Sequence, residues 1–517
     1  MKKSSWVVIA IVIFYFLTHL SGLTALPVFA DEAIYVRWAQ LIMDEPLRYA
    51  FFPLNDGKTP LFIWSLLPFQ YLFSDPLFAG RLVSVLVGLG QIFTVAWLVK
   101  LLGGKKWTQY LGMLLTSVLP FWYFHHRMIL MDGMMTLWLS LAIVGVLKLS
   151  QSNDNKLKKL VRLKFTKHDI LWTTFTGISF GLAMLTKLPA ILFVPVLALS
   201  TLFVNKLNFE KWFVLLVKVG LGIFIGLVVF VSLKLHPAFG QLFSRGGDFL
   251  YPLSEVLSGA WKETIISIPN YFRYFIQYLT LPLMTMVVAA LFSPLRKKDH
   301  HLLLFLGLLF LAPMMLMGKV VYPRYLMTAS IFFTLSGVLA FEHFYDYFEK
   351  NKNQLKKLGG QIILVLMLAN ILGSSGVYIY QSIFETNLTP FVSADKEQYL
   401  YKWSSGHGIK EVVDVIEQMA QTEKIAIATE GYFGTLPDGI LMYLHGRDVT
   451  NIYVDGIGYP VKEVSEKFLS RAEEFDRTLL VVNSHRMELV GYENRDLLQE
   501  WCRPDNAPCL QLWELKE

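Results

Sequence analysis

The sequence predicts a polytopic α-helical membrane protein of about eleven transmembrane helices, followed by a C-terminal soluble α/β domain. Three observations predict it. Apolar runs of about 17 to 25 residues recur up to position 380, each long enough to cross about 30 Å of hydrocarbon as a helix. Segments rich in Lys and Arg fall on alternate connections between these runs. From about Gln381 the apolar runs shorten, and helix-like and strand-like patterns alternate.

Composition excludes an ordinary soluble protein: 54% of residues are hydrophobic, 17% are charged and mean hydropathy is +0.46. The net charge of +7 raises nucleic-acid binding as a class. The basic residues sit in short connections, however, so they read as topogenic charge and no nucleic-acid partner is expected.

In order, the spans are expected at 6–26, 79–101, 107–124, 128–149, 170–187, 188–205, 212–235, 271–294, 301–317, 324–341 and 359–380. Lys2-Lys3, Lys100 to Lys106, Lys148 to Lys167, Asn205 to Lys211, Arg296 to Lys298 and Lys350 to Lys357 can then all be cytoplasmic, with the N-terminus. The outer side receives the loop 27–78, the turn at His125 to Arg127, the bend at Lys187, the loop 236–270, the turn at Lys319 to Arg324 and the extracytoplasmic tail 381–517. Lys2-Lys3 before an apolar stretch also fits a signal peptide. Only Val28-Phe29-Ala30 offers a weak cleavage site before Asp31, so an uncleaved anchor is expected.

In the tail, Ile409, Val412, Val413, Ile416 and Met419 have helical spacing, and Lys424 to Thr429 alternates as a strand. A helix at Asp438 to Leu444, a strand at Thr450 to Val454, a helix at Val461 to Phe475 and a strand at Thr478 to Val482 follow. This rhythm predicts a largely parallel sheet. Glu430-Gly-Tyr-Phe-Gly-Thr435 follows a strand and is either an anion cradle or an ordinary turn. It lacks Gly-x-Gly-x-x-Gly spacing, and the turn is expected. Cys502 and Cys509 are the two cysteines; their spacing allows a small disulfide loop, and no cysteine-based metal site is expected.

Charge near a bilayer is costly unless it has a function. Asp31 and Glu32 follow the first apolar run, and Lys58 opens Lys-Thr-Pro-Leu before the second. A carboxylate at the mouth of a dry cavity gains basicity, which suits Asp31 to act as a general base. Glu32, about 100° round a helix, orients a partner or helps a metal; alternatively the pair caps a juxtamembrane helix from Ala33 to Ile42. Lys58, Lys187 and Arg324 are isolated cations suited to phosphate oxygens, with snorkelling as the alternative for the latter two. Tyr322 and Tyr325 flank Pro323-Arg324 and either hydrogen-bond phosphate or belong to the interfacial aromatic belt. Asp132 is half of an internal ion pair with nearby Arg127, or it contacts substrate. His125 and His126 are candidate ligands of a divalent cation together with Asp31, or polar turn residues.

The order of these features resembles the glycosyltransferase C superfamily: the acidic pair, Lys-x-Pro-Leu, Arg127 and Asp132, Leu185-Thr-Lys-Leu-Pro189 and Pro323-Arg-Tyr-Leu326. The resemblance, over residues 1–340, is to the bacterial family 39-like branch related to protein O-mannosyltransferases and the lipid A aminoarabinose transferase. Thr59 departs from it, standing where a second Pro is usual. The resemblance implies transfer of a sugar from a polyprenyl-phosphate donor, with inversion, to a protein, glycan or lipid acceptor at the outer face of the cell membrane. The loop 236–270, with its aromatic residues around Arg245-Gly-Gly-Asp248, would then be a mobile lid over the lipid-linked donor or a static interfacial helix. A lipid or sugar transporter is the alternative; no internal repeat of the kind transporters carry is visible.

Overall fold

The computed structural model describes residues 3–53, 56–151, 165–203, 209–244, 246–295, 297–447, 449–490 and 495–516. Lys2, Arg296, Arg245 of the expected lid, and the stretches 152–164 and 205–208 within two expected basic connections lie outside the described residues. The chain divides into two compact units, one of Met1–Ser21, Phe51–Phe62 and Ser84–Tyr380, the other of Gly22–Ala50, Ile63–Val83 and Gln381–Glu517.

The first unit is helical, and the chain is a multi-pass membrane protein. Among the described residues six helices are long and apolar enough to cross a membrane, or seven if one bent pair forms a single span. Several runs expected as single spans are interrupted instead. The run 107–124 splits into Lys106–Val118 and Pro120–His125, because Pro120 has no N–H to continue the ladder and suits the first position of a new helix. The run 188–205 begins as a 3-10 segment, Leu188–Phe193, with Pro189 in its first turn. The span expected at 271–294 appears as Trp261–Leu279 and Leu281–Phe292, bent by 115° where Thr280 takes a φ of +70°.

Two helices of this unit approach so closely that only glycine fits between them. A Cβ on Gly177 of the helix Lys167–Thr186 would lie 2.6 Å from the Gly222 carbonyl oxygen of the helix Phe209–Val231, and one on Gly226 would lie 2.9 Å from the Gly177 carbonyl oxygen. Gly181 and Gly226 complete a small-residue repeat on each helix, which lets backbones pack where lipid gives no hydrophobic drive. Across the same contact the Lys218 ammonium meets the Asp169 carboxylate at 2.8 Å, both side chains buried. Asp169 also closes a capping box with Thr166.

The second unit contains a five-stranded sheet of order β2-β1-β3-β5-β4, with β1 Ile425–Thr429, β2 Ile452–Gly456, β3 Arg477–Asn483, β4 Arg495–Cys502 and β5 Cys509–Leu515. β2, β1 and β3 run parallel, as the alternating helices and strands require. The sheet is nevertheless mixed rather than largely parallel, since β5 and β4 form an antiparallel hairpin against β3. β4 is an edge strand with most of its residues exposed or half-buried, so it lacks the apolar alternation that reveals a half-buried strand. Ala426, Ala428, Leu480, Val482 and Phe468 build a core on one face. The helix Ala30–Asp44 belongs to this unit and lies along the helix Asp438–Leu444. There the Gln40 amide donates to the Met442 carbonyl at 2.9 Å and His445 meets Asp44 at 2.9 Å.

Candidate active site

In the second unit the acidic pair opens the helix Ala30–Asp44. Asp31, half-buried, occupies the first turn, where a carboxylate is favoured by the helix dipole. Glu32 is buried and takes the third helical position. Its carboxylate accepts the Phe29 N–H at 2.9 Å, and Arg81 donates to it from Nε at 2.9 Å and from Nη2 at 2.6 Å. Arg81 spends its remaining donors on the carbonyls of Leu23, Leu26 and Pro27 at 2.8, 2.9 and 3.0 Å. One guanidinium thus clamps the turn before Asp31 and the helix that carries it. Arg81 lies in the second turn of the apolar helix Pro76–Leu101 and belongs to none of the motifs of the sequence. A charge inside the apolar run, set apart from Lys100 at its end, is the available signal.

In the first unit the helix Lys167–Thr186 ends as Lys187 turns to an extended backbone, φ −160° and ψ 133°. Its ammonium donates to both carboxylate oxygens of Asp132, at 2.8 and 2.9 Å. Asp132 sits in the first turn of the helix Met131–Leu149, so an acid at a helix start meets a base at a helix end, each favoured by its own dipole. Asp132 therefore takes its cation from Lys187. Arg127, the partner anticipated for it, donates to the Ser21 carbonyl at 2.8 Å and lies 4.8 Å over the Tyr123 ring.

Tyr325 joins the cations. Lys187 lies 4.7 Å and Arg324 5.4 Å from its ring centre, and Arg324 is also 4.9 Å from that of Tyr322. Pro323 starts the 3-10 turn Pro323–Leu326 and so holds buried Arg324 at the entrance to the helix Met327–Glu349. Lys58 follows the tight turn at Gly57, φ +70°, lies 3.7 Å from Asp56, and is near enough for its charge to act on Lys187, as does that of Arg324. Lys187 and Arg324, gathered on Tyr325, are suited to an anion.

The paired histidines are set differently. His125 Nδ1 is 2.7 Å from the Phe121 carbonyl and its ring stacks on Phe121, while His126 stacks on Trp122. Among the described residues, three potential metal-ligand atoms converge in one group, Glu500, Cys502 and Cys509, which does not include the histidines. Cys502 and Cys509 face each other across the β4–β5 hairpin and are joined by a disulfide, so they supply no thiolate. Among the described residues, no group of three such atoms includes His125 or His126.

Residues 52–239 match the family model described as dolichyl-phosphate-mannose-protein mannosyltransferase. No curated protein sequence matches the chain. Among solved structures the fold is similar to that of ArnT from Cupriavidus metallidurans bound to undecaprenyl phosphate, with a TM-score of 0.60 and 14% identity over 99% of this chain and 98% of that one. It is similar also to the Archaeoglobus fulgidus oligosaccharyltransferase AglB in complex with an inhibitory peptide and a dolichol-phosphate, with a TM-score of 0.53 and 12% identity over 92% of this chain and 69% of that one. At such identities the likeness is one of fold.

Proposed function

We propose that this chain is a glycosyltransferase of the C superfamily that moves a sugar from a polyprenyl-phosphate donor to an acceptor hydroxyl at the outer face of the membrane, a reading supported by its fold and its partial family match. The observation that carries the reading is the convergence of Lys187, Arg324 and Tyr325, with Asp132 holding Lys187 in place and Lys58 within electrostatic reach. Similar folds have been solved with undecaprenyl phosphate and with a dolichol-phosphate, which supports a lipid-phosphate ligand.

A sugar on a lipid phosphate has an anomeric carbon bonded to a stable leaving group, so the demand is for a base on the acceptor and for positive charge on the departing phosphate. Asp31 removes the acceptor proton. The acceptor oxygen forms its bond to the anomeric carbon as the bond from that carbon to the phosphate oxygen breaks. The electron pair leaves with polyprenyl phosphate, whose charge Lys58, Lys187 and Arg324 stabilise, with Tyr325 as a hydrogen-bond donor. A single displacement inverts the anomeric centre. Glu32 and Arg81 fix the start of the helix that bears Asp31, which gives Glu32 a positioning role. The loop 236–270 supplies the lid over the lipid-linked donor.

The test is incubation of the purified protein with a panel of polyprenyl-phosphate sugars, following release of polyprenyl phosphate by mass spectrometry for wild type and Asp31→Asn. Release by wild type alone supports both class and base. Release by both variants keeps the class and removes Asp31 from the base role. No release from a folded, lipid-binding protein would overturn the transferase reading.

A further inference from the structure

The sheet of the second unit has its topological switch between β1 and β3. The chain leaves β1 to one side to form β2 and then returns to the other side as β3, an arrangement in which ligands bind outside the carboxyl ends of the strands. Three loops meet at that end. Those after β1 and β2 are joined by paired backbone bonds of Gly431 and Gly458, at 2.7 and 3.4 Å. The loop after β3 is tied to them where Val461 N–H donates to the Arg486 carbonyl at 2.9 Å and Glu488 N–H to the Val461 carbonyl at 2.9 Å. Beneath them lies a buried polar network. Glu430 accepts from the Asn483 backbone at 2.8 Å and side chain at 2.7 Å, and Arg503 donates to Asn483 Oδ1 at 2.6 Å.

On this hydrogen-bonded base stand rings that have no place in the core. Tyr432 is 73%, Phe433 52% and Tyr459 63% exposed. Tyr432 lies against Gly458, where an added Cβ would come within 3.0 Å of its hydroxyl, so one side of the ring is backed and the rest faces outward. Arg486 lies 4.0 Å from the Tyr459 ring centre and 4.2 Å from that of Trp403, with a single nitrogen directed to Glu430 at 3.3 Å. A guanidinium has five donors, so others remain for a ligand.

We propose that this platform is a saccharide-binding site that engages the glycan of an acceptor. Sugar rings present an apolar C–H face, which suits exposed aromatic rings, and an equatorial rim of hydroxyls, which suits a fixed guanidinium fork. Preorganised loops remove the ordering cost that makes weak sugar contacts unproductive. The carboxyl-end position and the polar network favour a discrete ligand over a lipid surface, which would need no fork. The proposal rests on the transferase reading for the word acceptor alone.

The test uses full-length protein in nanodiscs against a panel of neutral and uronic-acid-containing di- to tetrasaccharides, read by saturation-transfer NMR. Wild type, Tyr432→Ala/Phe433→Ala and Arg486→Gln are compared, with acceptor-independent donor hydrolysis measured in parallel. Saccharide binding by wild type, weakened at least tenfold in both variants with hydrolysis unchanged, is the expected result. No binding by wild type at millimolar sugar, or equal binding by all three, overturns the site. Loss of partition onto empty vesicles by the double variant, without any sugar signal, overturns it in favour of a membrane contact. Donor hydrolysis reports separately on the transferase reading, so the two can fail independently.

Discussion

The Arg81 guanidinium is bound to the Glu32 carboxylate through two hydrogen bonds of 2.9 and 2.6 Å, with both side chains out of contact with solvent. Removing the guanidinium takes the cation from the buried Glu32 carboxylate and frees the carbonyls of Leu23, Leu26 and Pro27, which costs about 3 to 5 kcal/mol. Arg81→Met is therefore expected to lower the melting temperature sharply. Asp31→Asn, on the same turn, should change it little. Equal thermal stability of Arg81→Met and wild type in detergent would falsify the clamp.

Lys187 and Asp132 separate stability from activity. Lys187→Met leaves Asp132 buried without its cation, so it should lose both stability and donor turnover, the latter by about 10²-fold or more. The double variant Lys187→Met/Asp132→Leu replaces the pair with apolar groups and should regain stability while remaining inactive. Recovery of turnover in the double variant would show that the ammonium has no role at the phosphate.

Arg324→Lys keeps the charge and loses the fork and the stacking surface on Tyr322 and Tyr325. A higher donor KM is expected, with Arg324→Met more severe. A wild-type KM for Arg324→Lys would reduce the residue to a point charge.

Burial pushes the Asp438 carboxyl up to about 6, against the opposing effects of the Gly434 N–H and the Arg37 charge. The folded state then holds a proton that the unfolded chain has lost, so this contribution to stability is full at low pH and is lost as pH rises through about 4 to 6. Above that window the carboxylate costs about 3 kcal/mol. Asp438→Asn keeps an acceptor for Gly434, at 2.7 Å in the wild type, and should raise the melting temperature at pH 7.5. Calorimetry from pH 4.5 to 7.5 checks it, and a pH slope unchanged by the substitution counts against the assignment.

The glycine contact between the helices Lys167–Thr186 and Phe209–Val231 leaves no room for a side chain. Gly177→Leu should force them apart and reduce folded yield, whereas the same change at Gly373, with nothing within 4 Å, should be tolerated. Similar yields for the two variants would show that the backbones can separate without cost.

Much of the architecture was readable because it rests on local properties. Apolar run length identified the membrane class, and alternating periods located β1 to β3. β4 escaped, since an exposed edge strand carries little pattern, and the breaks at Pro120 and Thr280 were read through as continuous spans. Gly177 with Gly181, and Gly222 with Gly226, stand four apart, a spacing legible in the sequence whose partner only the fold supplies.

Charge placement was harder to read. The sequence marked Lys187 and Asp132 as candidates, yet proximity along the chain suggested Arg127 as the partner of Asp132. Two helix ends distant in sequence brought Lys187 there instead. Arg81 gained its meaning only when the helix Pro76–Leu101 met the turn before Ala30. Hydropathy and strand period are set by neighbours along the chain and survive without a fold. The choice of partner for a buried charge depends on which groups share a low-dielectric space, and tertiary packing alone decides that.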